Sequence, residues 1–155
     1  MTDLARCPWC GTDPLYVAYH DSEWGIPEHD SRALCECLML EAFQAGLSWI
    51  TILKRRPGFR EAFSDFNIDA VASFTDDDVE RLMLDERIIR NRAKIVATIE
   101  NAKVTKNLLE QSAGALHDLI WSFQPMSRQR ANSCAGDEQA RAQRHGVCPR
   151  PSSRR

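Results

Sequence analysis

No run of apolar residues in this chain approaches the ~20 that a membrane-spanning helix needs, and the first residues lack the apolar core of a secretory signal. These absences predict a cytoplasmic protein with no membrane association. Thiols stay reduced in that compartment. The six cysteines therefore read as metal ligands, core residues or redox groups before they read as disulfides. Alternation of apolar and polar residues is also missing. No segment carries the period-two pattern of a half-buried strand, which excludes a β architecture and leaves an all-α fold. Excess positive charge is absent where the chain looks globular: residues 1–123 hold 13 Lys and Arg against 20 Asp and Glu. Nucleic-acid contact there would need a local basic patch rather than a net field.

What is present divides the chain in two. Residues 1–123 form one helical domain, long enough for a single core. Residues 124–155 hold seven Arg, no Lys and three of the seven Pro, with Met126 and Val147 the only large apolar residues. Such a tail buries too little surface to offset its ordering entropy and is expected to be disordered. Within the domain, 30–56 reads as a helical region capped by Asp30 or Ser31, apolar nearly all round and broken or bent at Gly46. Pro57-Gly58 should end its second half. Short helices are expected around Phe59 to Phe66 and near 70–74. A helix starting at Thr75 with Asp76, Asp77 and Asp78 follows, then one capped by Asn91, then one over 112–123.

Four features carry candidate chemistry. Cys7-Pro-Trp-Cys10 with His20 offers three zinc donors; the spacing equally suits small buried thiols, and less well a redox dithiol. Glu41 lies among Leu38, Leu40, Ala42 and Ala45, so burial is expected; it is either satisfied by a salt bridge or it lines a pocket. Trp9, Tyr16, Tyr19, Trp24 and Trp49 are either core or a slot for a flat heterocycle, with Trp49 on the side of Glu41 if the helix continues. DERIIRNRAKI, residues 85–95, gathers Arg87, Arg90, Arg92 and Lys94 around a turn that leads to a helix start at Asn91. That patch is either a solvated charged face or a phosphate cradle.

Taken in order, RCPWCGTDPLYVAYHDSEWGIPEHDS, LEAFQAGLSWITILKRR, DVERLM, IIRNRAKI and LIWSF closely resemble the 3-methyladenine DNA glycosylase I family, continuously from about Arg6 to Phe123. The resemblance implies an all-helical member of the helix-hairpin-helix glycosylase superfamily acting on double-stranded DNA that contains alkylated adenine, with one structural zinc; a monomer is expected. It implies that Glu41 recognises the flipped base, that Trp49 stacks on it, and that Tyr16 and Tyr19 line the pocket with Trp9 and Trp24 nearby. Gly46 and Leu47 would plug the gap in the duplex, while Arg90, Asn91, Arg92 and Lys94 would belong to the DNA-gripping hairpin. Cys7 and His20 match two zinc ligands, whereas Cys10 matches none.

Two departures stand out. Arg87 occupies a hairpin position where the family usually has Gly, a residue suited to positive φ and close approach to phosphate. After Phe123 the expected helices and the His–Cys pair that completes the zinc site are replaced by the Arg-rich tail. His145 and Cys148 are the remaining ligand candidates there. The alternative reading is therefore a C-terminally truncated relative that at most binds nucleic acid. A helical small-molecule binder using the same aromatic slot would leave the hairpin unexplained.

Overall fold

The computed structural model describes residues 6–124, and every regular element among them is helical. The expected tail, including His145 and Cys148, lies outside the described residues. The chain divides into an N-terminal unit through Pro27 and a larger unit, Glu28–Gln124.

The N-terminal unit contains a 3₁₀ turn, Pro8–Cys10, and helix α1, Pro14–Ser22. Asp13 starts α1 by accepting a hydrogen bond from the Leu15 N–H at 3.0 Å, with Pro14 at the first helical position, where a missing N–H costs nothing. Trp9 is the hub of this unit. Its ring lies 4.9 Å from Tyr16 and meets Trp24 edge-on at 5.4 Å, while His20 stacks on Trp24 at 5.6 Å.

The larger unit holds α2 (Ser31–Gln44), α3 (Trp49–Ala62), α4 (Ile68–Ala72), α5 (Asp76–Leu84), α6 (Arg92–Gln111) and α7 (Ala115–Trp121). Its core is built on phenylalanine: Phe43, Phe59, Phe63 and Phe66 are fully buried, with Met39, Leu40, Ile52, Leu82 and Ile95 around them. Phe43 and Phe59 approach to 4.7 Å, and Phe63 stacks on Phe66 at 5.8 Å. The longest helix, α6, presents Ile95, Thr98, Ile99, Ala102 and Thr105 to this core at helical spacing.

Local chemistry sets the helix boundaries as expected at several points. Asp30 caps α2 through the Ala33 N–H at 2.9 Å, and Asn91 caps α6 through the Lys94 N–H at 3.1 Å. At the start of α5 the Thr75 N–H donates to the Asp78 carboxylate at 3.0 Å, which holds that acid below its ordinary pKa. Gly46, at φ 84°, separates α2 from α3. One expectation fails: Pro57-Gly58 does not end a helix, because α3 runs through both to Ala62. Proline there removes one hydrogen bond, but stopping would expose Phe59 and Phe63, and burying two phenylalanines outweighs that loss.

Candidate functional site

Within the larger unit, helix α2 carries two carboxylates with opposite environments. Glu41, expected to be buried, is instead exposed, on a face shared with Cys37, Leu38, Ala42 and Ala45. The reason is geometric: Leu34, Cys35, Met39, Leu40 and Phe43 already supply the buried stripe, so the residues between them turn outward. Desolvation still pushes the Glu41 carboxyl above its ordinary pKa. Glu41 is thus an accessible carboxylate in a largely apolar surround, with a raised proton affinity.

Glu36 is the buried acid, at 1% exposure, and sequence reasoning missed it. Arg56 donates to it at 2.6 Å and Arg60 at 2.9 Å from α3, while Arg32 reaches it at 3.3 Å from one turn earlier on α2. Burial alone would raise its pKa, but the Arg56 and Arg60 hydrogen bonds outweigh this and the net shift is downward. Signals were available: Arg32 and Glu36 are spaced i, i+4, as are Arg56 and Arg60, and Glu36 falls on the Leu34–Leu40 side. The network binds the N-terminal half of α2 to the C-terminal half of α3.

Trp49 begins α3, so it is not on the helix of Glu41 as a continuous helix would require. It is partly buried and packs against the phenylalanine core. Between the two helices, the Leu47 N–H donates to the Gln44 carbonyl at 2.6 Å, which closes a tight turn on Gly46 and leaves Leu47 40% exposed.

The basic turn between α5 and α6 is built differently from a bare cationic patch. Arg87 does not take positive φ: among the described residues, the non-glycine positions that do are Ser64, Asp65 and Phe66. The arginine closes the turn with ordinary backbone and pairs with Asp85 at 2.8 Å and with Glu61. Arg92 meets Glu80 at 2.7 Å and Arg90 lies 3.7 Å from Glu86. Arg55, which sequence reasoning did not single out, donates to the Glu86 carbonyl at 2.7 Å and anchors the turn on α3. Lys94 departs most from expectation. Its ammonium, on a half-buried side chain, donates to the carbonyls of Phe43 at 2.8 Å and Ala45 at 2.6 Å.

In the N-terminal unit, His20 Nε2 accepts the Cys7 N–H at 3.3 Å and its Nδ1 meets Asp21 at 2.9 Å. Arg6 grips that carboxylate at 2.8 Å; its hydrogen bond, then that of His20, draws the Asp21 pKa down to about 2. A carboxylate on Nδ1 is the usual support for a metal-binding histidine, but here the Nε2 lone pair is taken by the Cys7 N–H. Cys10 resolves as a buried thiol that donates to the Cys7 carbonyl at 3.1 Å. Against the expectation that its thiols stay reduced, Cys7 is disulfide-bonded; the free thiols among the described residues are Cys10, Cys35 and Cys37, and the described residues contain no cluster of three or more metal-type donors. Tyr16 is half-buried, and burial first, with Cys10 second, raises its phenol pKa.

A profile of the methyladenine glycosylase family matches residues 9–146, extending past Phe123, where the resemblance was expected to end. The chain is 50% identical over 120 residues to DNA-3-methyladenine glycosylase 1 of Escherichia coli strain K12, an alignment covering 77% of this chain and 64% of that protein. The chain thus spans a little under two thirds of that relative's length. A crystal structure of a 3-methyladenine DNA glycosylase I superposes with a TM-score of 0.74 at 44% identity, covering 89% of this chain and 81% of the other. A variant of such an enzyme in complex with 3-methyladenine gives 0.71 at 40% identity, covering 76% and 62%. The helical fold is therefore that of 3-methyladenine DNA glycosylase I, and the chain belongs to the methyladenine glycosylase family.

Proposed function

We propose that this protein is a DNA glycosylase that removes 3-methyladenine from alkylated duplex DNA by flipping the base out of the stack. The observation that carries the reading is Glu41: a solvent-reachable carboxylate of raised pKa on the apolar face of α2, in a chain of this family. Methylation at N3 makes the base cationic and its glycosidic bond weak, so the protein mainly has to select the cation. A carboxylate in a partly desolvated surround attracts that charge and accepts hydrogen bonds from the base. Trp49 is proposed to stack on the base. Trp9, Tyr16, Tyr19 and Trp24 are proposed as further base-contacting aromatics through stacking and cation–π attraction.

Water then attacks C1′ as the C1′–N9 bond breaks. The bonding pair leaves with N9, the base departs neutral, and the water's proton passes to solvent, leaving an abasic site. No lysine sits among the proposed base contacts, so no Schiff-base step is expected. Gly46 and Leu47 are proposed to fill the gap in the duplex, and the α5–α6 turn to act as a helix-hairpin-helix that holds the backbone through Arg90, Asn91 and Arg92. Its approach to phosphate has to displace Glu80 and Glu86 from their arginines.

The test is release of free 3-methyladenine from methylated duplex. Glu41→Gln is expected to lower the single-turnover rate by about 100-fold, the scale for loss of one electrostatic stabiliser. Unchanged excision by Glu41→Gln would overturn the mechanism, whereas duplex binding with no excision by the wild-type chain would favour the binding-only reading.

Structural zinc is part of the same proposal. Once Cys7 is reduced and the Cys7 N–H has released His20 Nε2, the two side chains would supply half of a tetrahedral site, with His20 oriented by Asp21. Protein purified under reductant should carry one zinc by elemental analysis, lost in Cys7→Ser and in His20→Ala. Zinc retained in both variants would remove these two residues from the site.

A further inference from the structure

The four cations at 87–94 are not alike: three arginines pair with carboxylates at the surface, while Lys94 alone is spent on backbone carbonyls. The last carbonyls of a helix have no partner within it, and a cation there also meets the negative end of the helix dipole. At the end of α2 the Lys94 ammonium takes up Phe43 O at 2.8 Å and Ala45 O at 2.6 Å. The stalk from which it reaches is rigid. Its N–H is held by the Asn91 cap at 3.1 Å, its carbonyl accepts the Thr98 hydroxyl at 2.9 Å, and its neighbour Ile95 is fully buried. The target is a turn that needs such support: Gly46 has φ 84° and no neighbouring atom packed near its open side, and the turn is closed by the single Gln44–Leu47 hydrogen bond. Glu41 lies two residues before Phe43 on the same last turns of α2.

We infer that Lys94 is a positioning residue whose ammonium ties the first turn of α6 to the last turn of α2, holding the 45–47 turn and Glu41 in register, and that it does not contact a phosphate. Swinging it outward would strand two carbonyls at a helix end. A duplex that seats on α6 thereby also fixes the segment proposed to enter the gap. This consequence for excision rests on the proposed function; the strut itself does not.

The experiment compares wild type with Lys94→Met and Lys94→Arg, using the full chain. Without DNA, amide hydrogen exchange at Gly46, Leu47 and Ser48 is expected to quicken by about 10-fold or more in Lys94→Met, with Ile99 and Ala102 of α6 unchanged. Lys94→Arg, which retains donors for both carbonyls, should restore most of the protection. With methylated duplex, Lys94→Met should lower the single-turnover rate by about 10-fold while the slope of log K against log salt stays as in wild type. A slope smaller by about 0.9 with no change in exchange at 46–48 would overturn the strut and make Lys94 a phosphate contact. Absence of excision in wild type would remove the proposed function, while the exchange comparison still decides the strut. Should Lys94→Met not fold, Lys94→Gln, with a shorter neutral donor, carries the same measurements.

Discussion

On α2, Glu36 and Glu41 lie five residues apart, and the groups within reach of each give them opposite linkage to pH. Glu36 has its pKa lowered by Arg56 and Arg60 against its own burial. Its stabilising contribution is complete above the ordinary Glu value of 4.5 and is lost as pH falls through the lower, folded value. Removing the charge leaves arginines gathered around a neutral group. Glu36→Gln should cost about 3 kcal/mol at neutral pH, the low end for a broken buried pair because Arg60 is 44% exposed. Glu41 has its pKa raised by desolvation, so ionising it opposes folding once pH passes above the ordinary value. Glu41→Gln should therefore melt slightly higher than wild type at pH 7, with the difference vanishing below about pH 4. Melting curves of both variants from pH 3 to 8 check the two signs together. Glu41 was legible in the sequence as a candidate because an acid among apolar neighbours is conspicuous. Its exposure was not, because which side of an apolar helix faces the core depends on partners distant in sequence. Glu36 was signalled only in part, by the i, i+4 spacings, because two of its three arginines lie twenty or more residues away.

Helix α3 shows how packing overrides local signals. A Pro-Gly pair reads as punctuation, and at this position it serves close approach instead. A Cβ placed on Gly58 would lie 2.6 Å from the Arg87 Cβ and 2.9 Å from its carbonyl oxygen, so the glycine is what lets the α5–α6 turn lie against α3. In an unhindered helix interior Gly→Ala stabilises by about 1 kcal/mol. Here the sign should reverse: Gly58→Ala is expected to lower the melting temperature, because the contact includes backbone that cannot rotate away. Thermal unfolding decides it, and a raised melting temperature would mean that the turn yields easily. The helix starts at Asp30, Thr75 and Asn91 were legible, since these residues act on the amides just after them, whereas those at Asp13 and Asn67 went unread. The course of α3 was not legible, because its continuation depends on burying Phe59 and Phe63 against helices that the local sequence does not contain.

At the scale of the whole molecule, a chain of net charge −2 keeps its basic turn among its own acids. Replacing Glu80 and Glu86 with Gln should tighten duplex binding by about two- to fivefold for each and leave the salt slope unchanged, because the same arginines still reach the phosphates. Titration across 50–200 mM salt measures both quantities, and weaker binding in either variant would take the turn out of the interface. The all-helical class was readable from the missing strand pattern and the helix caps. The charge balance of the turn was not, since Glu80 meets Arg92 only once α5 and α6 have folded back on each other.

Those carboxylates also bear on time. A cation that already has a partner can let go of a phosphate without passing through a bare state, because Glu80 or Glu86 takes the place of the departing oxygen. With the turn seated on DNA as proposed, the pairing would favour brief contacts and frequent moves along a long duplex, and dwell time would be left to the turn around Gly46 and the carboxylate of Glu41.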